Sequence, residues 1–289
     1  MPGQLTMAVP NKGRLKDPTV QLLADAGLAF EITDRALSVR VENADLDLLF
    51  VRTEDIPEMV SDGVADLGVT GQDLLAEFNA GPQSKSGAPE VIAELGYGYC
   101  RLAAAVPDDS PIEKTEQLSG QRVATAHPRV AAQYFIDREI DVTIVPLRGA
   151  VEVAPKLGVS EAIVDLVSTG STLLVNGLRP IATVLPSQAV LIRSTESNGA
   201  VEHMATVLKA VVAGRSKRYV LLNAPVKAVA AIAAIIPGLE APTVVPLAEE
   251  GMVAVHSVVD AVDLWSLLPR LEAAGGRGIL VLNVEQLIP

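Results

Sequence analysis

Aromatic residues make up only 3% of this chain, and it has a single cysteine, Cys100. A lone cysteine excludes an intrachain disulfide and fits a reducing compartment. The shortage of aromatics means that a core must be built from Val, Leu, Ile and Ala, a composition suited to buried parallel strands under helices. No apolar run approaches the roughly 20 residues of a membrane-spanning helix. The start of the chain, MPGQLTMAVPNKGRL, has no basic segment followed by a long apolar one. A cytoplasmic protein with no membrane partner is therefore expected. Positive charge is also scarce, with 23 Lys and Arg against 35 Asp and Glu and a net charge of −12. No basic surface is in surplus, which argues against a nucleic-acid partner. A small anionic ligand must instead be held by local basic clusters, helix N-termini or a divalent cation. The three histidines, His127, His203 and His256, lack metal-ligand spacing. No G-x-S-x-G nucleophile elbow and no Walker A loop are found.

What is present is ample apolar material. The 289 residues are 49% hydrophobic and 20% charged, enough for two or three domains and unlike a disordered chain. Strands are expected at Leu5–Val9, Leu37–Val41, Leu46–Val51 and Asp66–Val69. Helices are expected at Leu15–Ala26, at Ile56–Val60 with Thr53 as N-cap, and at Asp73–Phe78. The alternation is that of an α/β domain. Residues 80–89 read as a loop. A crossover strand at Arg101–Val106 then leads to a second lobe with a strand at Arg122–Thr125 and a helix at Arg129–Arg138. Gln188–Arg193 reads as a return strand and Val201–Val212 as a helix. Residues 217–289 follow the order βαββαβ, that of a ferredoxin-like domain. Pro269 conflicts with the helix expected at Val262–Ala274, so a kink or a late start is expected there.

The stretch EVAPKLGVSEAIVDLVSTGSTLLVNGL, Glu152 to Leu178, carries the most information. The apolar strand Ala162–Val164 runs into Asp165. A turn of small residues follows, Ser168-Thr169-Gly170-Ser171-Thr172, and Leu173–Val175 begins a helix. Such a corner presents unpaired N–H groups and the positive end of a helix dipole, with hydroxyls as further donors. An acid just upstream is placed to hold ribose hydroxyls. The loop alone reads equally well as a strand–turn–helix corner capped by Ser and Thr.

The longer stretch resembles the signature of the ATP phosphoribosyltransferase family, whose pattern is filled at Glu152, Gly158, Ser160, Ile163, Asp165, Thr169, Gly170, Thr172, Gly177 and Leu178. The resemblance extends to VPNKGRL near the start, DIPEMVSDGVADLGVTGQDLL in the first third and PGLEAPTVVPLA near the end. It thus covers nearly the whole chain, including the extension that marks the long form of the family. It implies an α/β catalytic unit with two lobes like a type 2 periplasmic binding protein, followed by a ferredoxin-like, ACT-like domain. The lobes are expected at 1–104 with 184–213 and at 105–183, and the regulatory domain at 214–289. The implied reaction is attack of N1 of ATP on C1 of 5-phosphoribosyl diphosphate, releasing diphosphate, as the first step of histidine biosynthesis. Mg²⁺ is the implied cofactor and histidine the feedback inhibitor. The long form is a homo-hexamer with dimers in equilibrium.

The resemblance also assigns residues. Lys12, Arg14, Glu152 and Asp165 are the expected catalytic groups. Asp165, Leu166, Ser168, Thr169, Gly170, Ser171 and Thr172 would bind 5-phosphoribosyl diphosphate. Arg14, Arg52, Asp66, Leu67, Gly68 and Arg101 would bind ATP, with Asp66–Gly68 read as a strand end. Asn223, Thr243, Pro246, Ser257 and Val258 would form the effector site. Protein ligands of the metal are unknown. Cys100 reads as a small buried hydrophobe and His203 as a surface or interface residue. His127 stands where many relatives carry Tyr, which leaves no aromatic contact to a nucleotide at that point. Without the resemblance, Lys12, Arg14 and Arg52 are solvated surface charges, Asp66 is a turn residue and Glu152 is a helix N-terminal acid. Two other readings compete. A prephenate dehydratase-like enzyme with an ACT domain lacks its Thr-Arg-Phe motif here, and a non-catalytic amino-acid-sensing protein leaves the phosphoribosyl loop without a role.

Overall fold

The computed structural model describes residues 4–32, 36–82, 87–194 and 199–288. Of the loop expected at 80–89, positions 83–86 lie outside the described residues. The chain divides into two compact units, Met1–Ala205 and Thr206–Pro289.

The first unit holds two lobes. Lobe I comprises β1 (Leu5–Pro10), α1 (Lys16–Asp25), β2 (Ser38–Arg40), β3 (Leu46–Val51), α2 (Ile56–Ser61), β4 (Leu67–Gly71), α3 (Gln72–Asn79) and β5 (Glu90–Glu94). The chain then builds lobe II from β6 (Cys100–Pro107), β7 (Arg122–Thr125), α4 (Pro128–Ile136), β8 (Thr143–Pro146), β9 (Ala162–Val167), α5 (Ser171–Val175) and β10 (Leu178–Ser187). It returns to lobe I as β11 (Ala189–Arg193), and α6 (Gly199–Arg215) continues into the second unit.

The lobe I sheet has the order β2-β3-β1-β4-β11-β5. β1 runs parallel to β3 and β4, while β11 returns antiparallel between β4 and β5. Central β4, Leu-Gly-Val-Thr-Gly, is buried at every position, as a strand covered on both faces must be. Helix α2 packs so closely on it that a Cβ at Gly68 would lie 2.5 Å from Ile56 Cγ2. The lobe II sheet has the order β10-β6-β9-β7-β8. Ala103, Ala104 and Ala105 on β6 are buried, and these small side chains let both faces of the sheet pack closely.

Some expectations shift. The 3₁₀ turn Thr53–Asp55 precedes α2 and starts after Arg52, with no side-chain cap, so Thr53 is not an N-cap. The edge strands β5 and β8 were not expected; half-exposed edges leave little periodicity to read. β6 and β10 pair along their length within the lobe II sheet. The chain therefore changes lobe before Cys100 and after Ser187, rather than inside these strands as the 104/105 and 183/184 borders imply.

The second unit follows the expected βαββαβ order: β12 (Lys217–Pro225), α7 (Val229–Ile235), β13 (Thr243–Pro246), β14 (Met252–Asp260), α8 (Leu264–Ala273) and β15 (Arg277–Asn283). Its antiparallel sheet is ordered β13-β14-β12-β15. Val220, Leu222, Val253 and Val255 on one face meet Ile232, Leu267 and Leu271 of the helices. Pro269 lies inside α8, which starts at Leu264 after a 3₁₀ turn. The N–H that proline lacks would have met the carbonyl of Trp265, whose side chain is 91% exposed. On this outer side water can meet the carbonyl instead.

Candidate active site

Parallel sheets place their ligand-binding loops beyond the carboxyl ends of the strands. In lobe I, β1 leads to Asn11–Arg14, β3 to Arg52, and β4 to Gly71–Asp73. The Asn11 N–H donates to the Val51 carbonyl at 2.8 Å, which sets the first two loops side by side. Lys12 and Arg52 are exposed, and neither side chain meets a partner among the described residues. Arg14 is held: its guanidinium donates to the Gly98 carbonyl at 2.7 Å and to Cys100 Sγ at 2.9 Å, and lies 3.4 Å from Asp73 Oδ1.

Asp73 is the centre of this region, and sequence reasoning saw it only as a helix start. Its carboxylate is buried. The Ser187 hydroxyl donates to it at 2.5 Å and in turn accepts from the Asp73 N–H at 3.1 Å. His127 Nε2 stands 3.4 Å from Oδ2 at ion-pair range, although neither ring nitrogen is aligned for a hydrogen bond. Burial pushes the Asp73 pKa up, but His127, Ser187 and Arg14 together outweigh it and hold the carboxyl below its ordinary value. Burial pushes the Cys100 thiol up, and the Arg14 charge opposes this without reversing it. Cys100 is thus half-buried and tied to Arg14, rather than a simple packing residue.

In lobe II, β7 leads to His127, the N-cap residue of α4, and β9 leads to the signature corner. Asp165 lies near the end of β9, and Glu152 reaches it from the 3₁₀ turn Val151–Val153. Ala150, just before that turn, takes the left-handed conformation at φ 50°, unusual without glycine. Burial pushes the Asp165 pKa up, and neighbouring Glu152 pushes it further. The Leu166 N–H and His127 oppose the shift without cancelling it. His127 is therefore within electrostatic range of a carboxylate from each lobe.

The corner itself is open. Ser168, Thr169, Ser171 and Thr172 are exposed. Thr169 Oγ1 and Ser171 Oγ pair at 2.9 Å. Gly170 makes the turn into α5 at φ 83°, a left-handed value suited to glycine. The Leu166 side chain packs into the core, so only its backbone faces the corner. Arg101 pairs in register with Val167, next to the corner. Its neighbour Cys100 meets Arg14, which brings that lobe I cation close to the end of β9.

The structure does not bring Asp66, Leu67 and Gly68 there. Asp66 precedes β4, and Leu67 and Gly68 begin it rather than end it. Asp66 accepts from the Thr6 N–H at 2.8 Å, and Leu67 and Gly68 are buried. Their work is strand pairing and packing at the opposite sheet edge, while the residues at the ligand edge of β4 are Gly71, Gln72 and Asp73.

In the second unit the expected effector residues fall on both sides of the sheet. Asn223 pairs in register with Ala254, Thr243 with His256, and Tyr219 with Val258, which puts Asn223, Thr243 and Val258 on the face away from the helices. Tyr219 joins them there, its hydroxyl 3.0 Å from His256 Nδ1. Ser257 and Pro246 face the helices, and the Ser257 hydroxyl is already bonded to the Ile236 carbonyl at 3.0 Å. No helix among the described residues is long and apolar enough to cross a membrane.

Comparison with known proteins covers the whole chain. The family model described as ATP phosphoribosyltransferase matches residues 52–211, and the one described as HisG, C-terminal domain, matches residues 214–286. An ATP phosphoribosyltransferase of Gemmatimonas aurantiaca is 42% identical over 299 residues, covering 99% of this chain and 100% of its own length. That of Maricaulis maris is 41% identical over 294 residues, with both chains covered completely. That of Methanococcoides burtonii is 39% identical over 290 residues, covering 99% of this chain and all of its own. A chain of the ATP phosphoribosyl transferase (HisG:HisZ) complex from Thermotoga maritima superposes with a TM-score of 0.59 at 27% identity, over 72% of this chain and 98% of that one.

Proposed function

The chain belongs to the ATP phosphoribosyltransferase family, and from that premise we propose how its residues divide the reaction. The reaction transfers the phosphoribosyl group from 5-phosphoribosyl diphosphate to N1 of ATP and opens histidine biosynthesis. The prephenate dehydratase-like and amino-acid-sensing readings fall away with this membership. Adenine N1 carries a free lone pair at neutral pH and needs no general base. Positioning and electrostatics are then the main demands on the protein.

Asp165 binds the ribose hydroxyls, and Ser168, Thr169, Ser171 and Thr172, with the backbone of Leu166 and Gly170, cradle the 5′-phosphate. The assignment rests on one observation: a largely buried carboxylate, within electrostatic range of a second acid, Glu152, directly precedes an exposed corner of four hydroxyls. Two hydroxyl donors from the ribose would relieve what Asp165 lacks in the protein. Lys12 and Arg14 face the leaving diphosphate, Lys12 as the mobile cation and Arg14 as the fixed one. Arg52 and Arg101 contact ATP.

Mg²⁺ would meet the family's need for a divalent ion. Among the described residues no cluster of three or more His, Cys, Asp or Glu offers a protein cage. The chemistry of Mg²⁺ suits that, because one or two carboxylates plus substrate phosphates complete its shell. Glu152 and Asp165 are the pair that would reach it. When bound, the ion neutralises charge on the departing diphosphate.

The C-terminal unit, 214–289, is the histidine-binding regulatory domain. Its site uses Asn223, Thr243 and Val258 on the open sheet face, beside Tyr219 and His256. That face also exposes Val245, Leu280 and Leu282, which supports a subunit contact within a homo-hexamer that exchanges with dimers. Diphosphate release from 5-phosphoribosyl diphosphate, followed with and without ATP and with added histidine, tests the scheme. Release that ignores ATP contradicts the transfer, and indifference to histidine contradicts the regulatory role.

A further inference from the structure

Helices α3 of lobe I and α4 of lobe II cap one another. The first residues of a helix leave N–H groups without intrahelical partners, and a Ser, Thr, Asp or Asn at the N-cap normally meets one. The N-cap of α4 is His127, and it provides no such bond. The partner comes from the other lobe. The Glu77 carboxylate on α3 accepts from the Arg129 N–H at 3.0 and 3.1 Å and from the Val130 N–H at 2.9 Å. In return the Arg129 guanidinium donates to the Glu77 carbonyl in the last turn of α3, at 3.4 Å. The arrangement is close: a Cβ at Gly81, just beyond α3, would lie 2.4 Å from Arg129 Nη1. Asp73 stands one turn before Glu77, a spacing that puts both carboxylates on one face of α3. From there Asp73 faces the His127 imidazole while Glu77 takes the N–H groups that follow it.

We propose that Glu77 is a positioning residue: it clasps lobe II to lobe I and fixes the spacing at which ATP and the phosphoribosyl group meet. This rests on the assignments proposed above, in which the ribose and 5′-phosphate sit on lobe II while Arg52 of lobe I contacts ATP and Lys12 and Arg14 of lobe I face the diphosphate. Separating the lobes breaks the clasp and leaves two N–H groups of α4 uncapped, so the clasp favours the closed cleft. Neither Glu77 nor Arg129 belongs to the assigned binding sets. Losing Glu77 should therefore slow the reaction without weakening either substrate alone.

The test compares wild type, Glu77→Ala and Glu77→Gln as full-length proteins. Three quantities are read: kcat, the dissociation constant of each substrate measured singly, and amide exchange at Arg129 and Val130. The expected result for Glu77→Ala is a kcat lower by about 10- to 100-fold, the range of one charge-assisted hydrogen bond. Both dissociation constants stay unchanged and the two amides exchange faster. Glu77→Gln keeps one acceptor oxygen and falls between; it also replaces Glu77→Ala if that variant does not fold. Unchanged exchange overturns the clasp. Faster exchange with unchanged kcat, or a weakened single-substrate constant, overturns the positioning role. A wild-type protein that releases no diphosphate contradicts the functional reading instead, and amide exchange then decides the clasp by itself.

Discussion

Asp73 and Asp165 stand at corresponding edges of the two lobe sheets, both largely buried and both within range of His127, yet they are pushed in opposite directions. Asp73 has an imidazole, a hydroxyl and a guanidinium around it, and its charge is answered within the protein. Asp165 has one backbone N–H, the more distant charge of His127 and a second carboxylate, and its charge is answered only in part. On the roles proposed above, the difference separates a carboxylate that holds the cleft together from one that awaits a ligand. Perturbed acids in a cleft are often functional, and the sign of the perturbation indicates which kind of work each does.

The largest expected effect breaks the satisfied side. Asp73→Ala leaves Arg14 and Ser187 without their shared acceptor and should destabilise the protein by about 3–5 kcal/mol, the cost of removing one partner of a buried pair. Thermal unfolding reads it. The pH sign follows from the lowered pKa. Asp73 contributes stability above the ordinary carboxylate range and loses it as pH falls through its folded pKa. Wild type and variant should therefore converge in acid.

Next come changes on the ligand side. Asp165→Asn and Thr172→Ala should each weaken transition-state binding by about 1.5–3 kcal/mol. Near-normal kcat/KM for 5-phosphoribosyl diphosphate in both variants would remove the ribose and phosphate assignments. The two loop cations sharpen the comparison. Arg14→Ala should cost about 1–2 kcal/mol of stability as well as diphosphate handling, because Asp73 loses a partner. Lys12→Ala should impair kinetics while stability stays within about 0.5 kcal/mol. Equal stability losses in both would mean that Arg14 is not part of the Asp73 knot.

The smallest effect lies outside the cleft. Asn223 offers histidine only neutral hydrogen bonds, and charge-assisted ones are roughly twice as strong. Asn223→Asp should tighten histidine inhibition by about 1 kcal/mol, read as a lower half-inhibiting concentration. Unchanged inhibition would move the effector site off the open face of the sheet.

The sequence made the signature side of this comparison legible and left the other side hidden. Asp165 and the corner at Ser168–Thr172 are neighbours in the chain, so a strand pattern and small turn residues suffice to place them. The βαββαβ order of the C-terminal unit was legible for the same reason. Asp73, Ser187 and His127 come from three distant segments, and only the folding of two lobes against each other joins them. Glu77 is hidden in the same way, because a helix cap from another lobe leaves no local signal. The misplaced Asp66–Gly68 and the divided effector residues are errors of register and facing. Which end of a short apolar strand meets the ligand depends on its neighbours, and one residue along a strand turns the side chain to the other face. Ser257 and Val258 show the second effect directly.

On the proposed roles, Asp165 is held against its own electrostatic preference until a ligand arrives. The direct measurement is thermal unfolding of wild type and Asp165→Asn, without ligands, across about pH 4 to 8. A raised pKa means that the native state keeps its proton more readily than the unfolded chain. Wild type should thus lose stability relative to the variant as pH rises through the folded pKa of Asp165. The predicted result is a variant of reduced activity that equals wild type in acid and is the more stable protein at neutral pH. A variant that becomes the less stable of the two as pH rises would show that Asp165 is paired in the free protein, and would contradict the account.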